Sequence, residues 1–344
     1  MAEKEHFVTM DYVRYIMALG VVVAHFSLVM NCDFWWPVSS GTAVSVFFGL
    51  SGFLVYATFQ RKQSLKDFLL SRTKRIMPIY LVIVVASALL LSFVSTLSLS
   101  EYFCHPDLWK YLGANICFLN FLQPTLPGVF TDNVVPTVNG SLWTLKVEWA
   151  LYLSIPLFDW AIRHWRISAK KLLFSIIVLS VAYKALMQYL YGATGHQIYH
   201  ILSYQFIGQL TYFYSGVLVF LNFEYCKRHK RALLLLSAAM SIICWLTSDC
   251  VQHWAVSILY DLFYPTSIVT FFLLVSCVDW LPVRLPRIPN LSYELYLIHF
   301  PVIQVVAQEF HFRSNVLIVV LLAELSIMLL LSQVLTKATK SLLS

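Results

Sequence analysis

The chain is organised as long apolar runs separated by short polar connections. A helix needs about 20 apolar residues to cross the hydrocarbon core of a bilayer. Ten segments come near that length: 11–31, 41–59, 76–96, 141–162, 172–191, 200–222, 232–248, 254–277, 290–309 and 315–336. Helical periodicity is weak in most of them, as expected for helices that touch lipid on one side and protein on the other. The pattern predicts an all-α polytopic membrane protein with about ten transmembrane helices.

The basic residues predict how these helices are oriented. If ten helices alternate, 20 of the 24 Lys and Arg residues fall on one side of the membrane. The densest groups lie in the connections 60–75, 163–171 and 223–231. The opposite side keeps only Lys110 and Arg313, while Lys146 and Lys184 lie within helices. Because cytoplasmic connections carry the excess of Lys and Arg, this bias places both termini in the cytoplasm.

Composition supports a membrane protein and excludes two other classes. Charged residues make up 12% of the chain, about half the fraction found in soluble domains, and hydrophobic residues make up 59%. The net charge of +7 does not indicate nucleic-acid binding, because the basic residues form short clusters between apolar runs. The first apolar stretch is too long for a signal peptide and lacks a small-residue cleavage site. We expect one membrane-embedded domain over 1–344, with no appended soluble domain.

The connection 97–140 is the only long one, and it is extracytoplasmic on this topology. Its apolar part, 108–123, is too short to span, so an interfacial or re-entrant helix is favoured. The seven Cys residues show no metal-ligand spacing and no CxxC pair, which favours small apolar residues in helices and no metal site. Cys104 and Cys250 fall in loops on the same side, which leaves a disulfide between them open.

Ionisable side chains at membrane depth are costly, so each is a candidate functional residue. Arg14 and His25 lie eleven residues apart, about three helical turns, and therefore project from one face about 16 Å apart. The alternative for Arg14 is a side chain that snorkels to the interface. The alternative for His25 is a packed, hydrogen-bonded histidine that serves only the structure.

Glu148 lies seven residues inside the fourth predicted helix, about 10 Å deep, and His25 has a similar predicted depth. A carboxylate and an imidazole at one depth predict an acid–base pair. Ser141, Thr144 and Tyr152 share a helical face with Glu148. The alternative is a structural pairing of Glu148 with another helix or with Lys146, although Lys146 points to roughly the opposite side.

Two further groups have both a functional and a structural interpretation. Ser51 and Gly52 lie mid-helix, where small residues admit either a neighbouring backbone or a slender ligand. Arg72 and Arg75 flank the predicted start of the third helix, ahead of Pro78. They are either a phosphate clamp at the cytoplasmic face or simply part of the basic orientation signal.

Together these residues predict a polar line through the bundle. The arginines mark its inner end, Ser51 and His299 lie near the middle, and His25 and Glu148 lie in the outer third. Such a line suits a reaction whose donor enters from the cytoplasm and whose acceptor binds at the outer face.

The polar residues also form five motifs: Arg14 with His25; Val46–Phe53 with Ser51; Arg72–Tyr80 with Arg75; Ser141–Tyr152 with Trp143 and Glu148; and Ser292–Pro301 with Tyr296 and His299. In this order they resemble the motifs of the acyltransferase-3 family. The resemblance covers nearly the whole chain. Lys146 departs from it, because a small polar residue is expected at that position.

The resemblance implies an acyl-CoA-dependent O-acyltransferase, usually for acetyl groups, that acts on sugars of cell-surface glycans. It implies that Arg14 and His25 are essential, that Arg72 and Arg75 serve the donor side, and that Glu148 belongs to the catalytic core. Supporting roles fall to Trp143, Tyr152, Tyr296 and His299.

The mechanism that we expect starts from acetyl-CoA bound at the cytoplasmic side of a bacterial inner membrane. Its phosphates contact the three arginines and its thioester arm passes Ser51. His25, oriented by Glu148, acts as general base on a hydroxyl of a glycan or lipid-linked sugar, or takes the acyl group first. Aromatic residues of 97–140 offer stacking surfaces for the sugar. The rival interpretation is a transporter or exporter of a glycan or lipid-linked intermediate, without acyl transfer. The acceptor sugar, the acyl length and the oligomeric state stay open.

Overall fold

A computed structural model describes residues 7–62, 64–247, 254–277, 285–309 and 317–343. All regular structure in these residues is helical, and each of the ten predicted segments overlaps one long helix. The long helices are α1 Val8–Val29, α2 Ser40–Arg61, α3 Leu65–Leu90, α6 Trp143–Trp165, α7 Ala169–Thr194, α9 Phe206–Leu221, α11 Lys230–Leu246, α12 Trp254–Cys277, α13 Ser292–Glu309 and α14 Leu317–Leu343. Four short helices lie between them: α4 Leu99–Cys104, α5 Pro106–Ile116, α8 Gln197–Ser203 and α10 Phe223–Arg228.

Six of the described helices are long and apolar enough to cross a bilayer. They are α1, α2, α7, α3 with the short 3-10 extension Leu91–Val94, most of α12, and α14 up to Lys337. These helices make the chain a multi-pass membrane protein. Helices α9 and α11 have only 16 and 17 residues, and polar or charged groups interrupt α6 and α13. The count of ten crossings and the cytoplasmic termini therefore stay predictions.

Helix α3 begins earlier than the apolar pattern predicts. Ser64 caps its first turn: Oγ accepts from the backbone N–H of Asp67 at 3.1 Å and donates to Asp67 Oδ2 at 2.8 Å. Arg72 and Arg75 consequently lie about two and three turns inside the helix. The prediction that they flank its start was wrong, because hydropathy reports where a helix becomes apolar and not where its backbone becomes helical.

The long connection contains no span among its described helices. The first part of its apolar segment 108–123 lies in α5, whose 11 residues are too few to cross the hydrocarbon core, as predicted. An interfacial or re-entrant position of this helix stays a prediction. Helix α4 precedes it and begins with a capping box, in which Ser98 and Glu101 bond each other's backbone N–H groups. The Ser98 hydroxyl and backbone N–H hold the pKa of the Glu101 carboxyl below its usual range. The connection is thus a folded segment.

Contacts between Cα atoms divide the chain into two units, which we call the α9 unit and the α13 unit. The α9 unit comprises Met1–Arg14, Val44–Phe68 and Val147–Ile288. The α13 unit comprises Tyr15–Ala43, Leu69–Lys146 and Pro289–Ser344. In the first, α9 packs against α7 and α12, and α12 packs against α11. In the second, α13 packs against α14. The single domain over 1–344 stays a prediction.

Glycines bring α2 close to α9 within the α9 unit. A Cβ atom on Gly52 would overlap the carbonyl oxygen of Phe213, and a Cβ atom on Gly216 would overlap that of Gly49. Small residues allow such backbone approach between membrane helices. Of the two interpretations given for the Ser51-Gly52 pair, helix packing therefore accounts for Gly52.

The variant Gly52→Ala is expected to destabilise the protein by roughly 1–3 kcal/mol, because the added methyl group forces α2 and α9 apart. A Cβ atom on Gly41, also in α2, would meet no atom within 4 Å, so Gly41→Ala is the matched control. The free energy of unfolding is measured by SDS titration in mixed micelles. Equal stability of the two variants would contradict the close approach of the helices.

A buried ion pair joins α7 to α12. Lys184 Nζ donates to Asp261 Oδ1, and the two side chains are 13% and 3% exposed. Gln188 Nε2 donates to the other carboxylate oxygen at 3.3 Å, and Gln188 Oε1 accepts in turn from Ser257. Both oxygens of Asp261 are thus bonded, which is how proteins tolerate charge at membrane depth. The sequence indicated Lys184 only as a basic residue within a helix.

Removing one member of this pair is expected to be costly. Lys184→Met leaves a buried carboxylate without its cation and should destabilise the protein by about 3 kcal/mol. The double variant with Asp261→Leu removes both charges and should recover most of that loss. The same SDS titration measures both variants. If the double variant is as unstable as the single one, the pair stabilises the fold by more than mutual charge neutralisation.

Candidate active site

Two histidines of the α13 unit are in direct contact. His25 Nδ1 on α1 lies 2.7 Å from His299 Nε2 on α13, and the ring planes differ by only 4°. Since a neutral imidazole has one N–H and one lone pair, one ring donates to the other in their common plane. His299 is fully buried, whereas His25 is partly exposed. Of the two rings, His25 is therefore the one that a substrate can approach.

Side chains at the start of α6 and just before it form hydrogen bonds with the part of α13 that carries His299. Ser141 Oγ lies 3.4 Å from His299 Nε2, and Thr144 Oγ1 lies 3.0 Å from the Tyr296 hydroxyl. On the sequence alone, Ser141 and Thr144 share the helical face of Glu148. Their side-chain partners are instead on α13, so they position the histidine pair and Tyr296.

Two glutamines of α13 form hydrogen bonds that hold the long connection 97–140 against this helix. Gln304 Nε2 donates to the carbonyl of Thr137 at 2.7 Å, and its Oε1 accepts from Asn133 Nδ2 at 2.8 Å. One turn further, Gln308 Oε1 accepts from the backbone N–H of Phe130 at 2.9 Å. Hydropathy could not identify these anchors, because the partners are mostly backbone groups far away in sequence. They hold the connection in a defined position relative to His299.

In the α9 unit, Glu148 is the centre of a second polar group. Ser51 Oγ donates to Glu148 Oε1 at 3.1 Å, and the Tyr152 hydroxyl donates to the same oxygen. The structure thus joins three residues selected from the sequence, and it confirms that Tyr152 shares a face with Glu148. The pairing of His25 with Glu148 stays a prediction.

The contacts change the depths assigned from sequence. The sequence predicts His299 nearer the membrane centre than His25, and Ser51 nearer the centre than Glu148. The two histidines are instead in hydrogen-bond contact, and so are Ser51 and Glu148, which puts the bonded atoms of each pair at one depth. Counting residues from a helix end assumes a helix perpendicular to the membrane, whereas transmembrane helices tilt by about 20° on average.

Lys146 points away from Glu148, as predicted. Its ammonium group lies 4.6 Å from the centroid of the Phe121 ring, in a cation–π contact. Of the residues that the structure describes, no carboxylate forms an ion pair with Lys146. The structural interpretation in which Lys146 neutralises Glu148 is thus disfavoured.

The three predicted donor-binding arginines differ in their surroundings. Arg14 and Arg72 are 9% and 8% exposed, whereas Arg75 is exposed. A snorkelling side chain keeps its guanidinium in water, so the burial of Arg14 disfavours that alternative. Buried guanidinium groups on membrane helices are candidate functional groups. Donor binding by the three stays a prediction.

The described residues bear only in part on the predictions about a metal site and a disulfide. Over the described ranges, no three His, Cys, Asp or Glu side chains come together as a metal site. Cys104 is exposed, and Cys250 lies outside the described residues, so their pairing stays open. Trp143 is the first residue of α6 and lies in the chain between Ser141 and Lys146.

Comparison with known proteins identifies the family. The chain is 27% identical over 148 residues to the "O-acetyl transferase" of Shigella phage Sf6, covering 42% of this chain and 43% of that protein. It is 23% identical over 333 residues to the "peptidoglycan O-acetyltransferase OatA" of Listeria monocytogenes, covering 86% and 49%. The "nodulation protein 10" of Rhizobium leguminosarum bv. viciae is 30% identical over 131 residues, covering 37% and 35%.

Each of these matches spans less than half of the relative's own length. No solved structure matches the chain. The model of an acyltransferase domain family matches residues 7–337, which is nearly the whole chain. The chain therefore belongs to the acyltransferase-3 family.

Proposed function

We propose that the chain is an O-acyltransferase that moves an acetyl group from cytoplasmic acetyl-CoA to a hydroxyl of a cell-surface glycan or lipid-linked sugar. The acceptor is bound at the outer face of a bacterial inner membrane. Membership of the family supports acyl transfer. The names of the phage and Listeria relatives favour an acetyl group and a sugar acceptor. The observation that carries the proposal is the contact between partly exposed His25 and fully buried His299.

The histidine contact suits general-base catalysis. When Nδ1–H of His25 donates to Nε2 of His299, Nε2 of His25 keeps its lone pair on the accessible ring. That nitrogen takes the proton of the acceptor hydroxyl while the hydroxyl oxygen bonds the thioester carbonyl carbon. The carbon–sulfur bond then breaks, and the protonated imidazole returns its proton to the leaving thiolate. The buried ring of His299 acts as a positioning residue in this scheme.

The remaining candidate residues are assigned to binding the acyl donor and to supporting the reaction. Arg14, Arg72 and Arg75 bind the phosphates of the donor, a task that the guanidinium fork suits. Glu148 supplies a fixed negative charge whose orientation Ser51 and Tyr152 maintain. Residues 1–344 then act as one membrane-embedded domain with both termini in the cytoplasm.

The test is acetyl transfer by the full chain. Membranes from a host with an acetylatable surface glycan are incubated with radiolabelled acetyl-CoA, and O-acetyl groups on the glycan are quantified. We expect label on the glycan with the wild type and none with His25→Ala at matched membrane levels. Label that stays on denatured protein would indicate an acyl-imidazole route. If the wild type neither transfers the label nor turns over acetyl-CoA, yet moves lipid-linked sugar across vesicles, it is an exporter.

A further inference from the structure

A cavity of about 240 Å³ lies inside the α13 unit, between α5, the segment after it and the start of α6. Its size is slightly below the roughly 300 Å³ at which pockets for drug-sized ligands begin. It suits one small ring and is too small for a whole coenzyme. On the predicted topology the connection that forms it faces the outer side, where the acceptor is expected.

The lining combines aromatic side chains with side-chain amides. The aromatic members are Tyr111, Phe121 and Trp143, and the amides are Asn115, Asn120 and Asn139. A sugar ring has a face of C–H groups that packs on an aromatic side chain and an edge of hydroxyls that bond amides. A few placed polar groups in an otherwise apolar lining are typical of pockets that fix the orientation of a ligand.

The three amides do not serve the same purpose. Asn115 Nδ2 donates to the carbonyl of Tyr111 at 2.9 Å, and Asn139 Nδ2 donates to the carbonyl of Leu297 at 2.8 Å. These two amides therefore stabilise the backbone that forms the cavity wall. Asn120 Oδ1 is buried and accepts no hydrogen bond from the described residues. A buried acceptor without a donor is unfavourable, and rotation of the Asn120 amide toward the cavity would let a ligand hydroxyl donate to it.

The wall of the cavity is continuous with the histidine pair. Gly140 lines the cavity, and a Cβ atom there would lie 2.8 Å from the Phe300 ring. The Phe300 ring contacts His25 edge to face, with 5.0 Å between the ring centroids. The next residue, Ser141, lies 3.4 Å from His299 Nε2. Gly140 and the Phe300 ring thus lie between the cavity and His25, the group that we assign as base.

We infer that this cavity is the subsite for one sugar residue of the acceptor, which packs against Phe121 and Trp143 and donates a hydroxyl hydrogen bond to Asn120. The inference rests on the proposed function, because it identifies the bound sugar as the acceptor. It predicts sugar binding by the full chain even when no acyl donor is present.

Binding is measured on the full chain in lipid nanodiscs by saturation-transfer NMR. The probes are methyl glycosides of glucose, galactose, rhamnose, N-acetylglucosamine and glucuronic acid. At least one of them is expected to show transfer to its ring C–H protons. Phe121→Ala and Asn120→Leu should weaken its affinity about fivefold or more. Leu122→Ala is the matched control, because Leu122 is 62% exposed beside Phe121 at 61% and does not line the cavity.

The outcomes separate the subsite from the proposed reaction. Binding of none of the five glycosides, or equal affinity of the Phe121→Ala and Leu122→Ala variants, would overturn the subsite. Glycoside binding that Phe121→Ala weakens, in a protein that transfers no acetyl group, would keep the subsite and reject acyl transfer. Acetyl transfer with an unchanged acceptor KM in Phe121→Ala would keep the reaction and place its acceptor elsewhere.

Discussion

Replacing His25 by alanine is expected to lower the rate of acetyl transfer by roughly 10³–10⁴-fold, the upper part of the range for a positioned general base. The variant removes the only ring of the histidine pair that is accessible to a substrate. The loss corresponds to about 4–5 kcal/mol of transition-state stabilisation. It is measured as the initial rate of label transfer from saturating acetyl-CoA to the glycan, with purified protein in nanodiscs.

Two further variants decide whether His25 acts alone as the base. His299→Gln keeps a polar partner for His25 Nδ1, so a positioning role predicts only about a tenfold loss, the value of one hydrogen bond. His196→Ala is the control, because His196 is exposed and its side chain makes no capping bond. A loss in His299→Gln as large as that in His25→Ala would mean that both rings take part in proton transfer. An active His25→Ala would remove His25 as the base.

The positions of the helices could be predicted from the sequence because lipid imposes a simple requirement. Each apolar run of about 20 residues has to satisfy its backbone hydrogen bonds internally, and in the described chain each such run is helical. The beginning of α3 at Leu65 could not be predicted in this way. Charged and polar residues interrupt the apolar ones in its first three turns, and a cap formed by Ser64 and Asp67 fixes the start of the helix. Hydropathy contains no information on the hydrogen bonds that cap a helix.

The residues of the candidate site could be selected from the sequence, but their contacts could not. The sequence indicates His25, His299 and Glu148 because ionisable groups at membrane depth are costly, and Ser51 because small residues admit a neighbouring backbone or a slender ligand. Which of them meet depends on helix tilt and rotation, which packing against neighbouring helices determines. The contact between His25 and His299 joins residues 274 positions apart. The cavity beside it is formed largely by a connection whose structure no periodicity describes.

Glu148→Gln is expected to lower acetyl transfer by about 10³-fold while the protein stays folded. Glutamine keeps an oxygen that accepts from Ser51 and Tyr152, so the substitution removes the charge and preserves both hydrogen bonds. The variants Ser51→Ala and Tyr152→Phe remove one donor each and should cost about tenfold, because they loosen the orientation of the carboxylate.

The matched control for Glu148→Gln is another carboxylate on the same helix, α6. Asp159 pairs with Arg163 at 2.8 Å, one helical turn away, and Asp159→Asn should retain nearly full activity because partly exposed ion pairs contribute little. The free energy of unfolding, measured by SDS titration, has to be similar for the two variants. Full activity of Glu148→Gln would show that this carboxyl group serves only to hold α2 against α6. A large loss of activity at unchanged stability assigns the negative charge itself to the reaction.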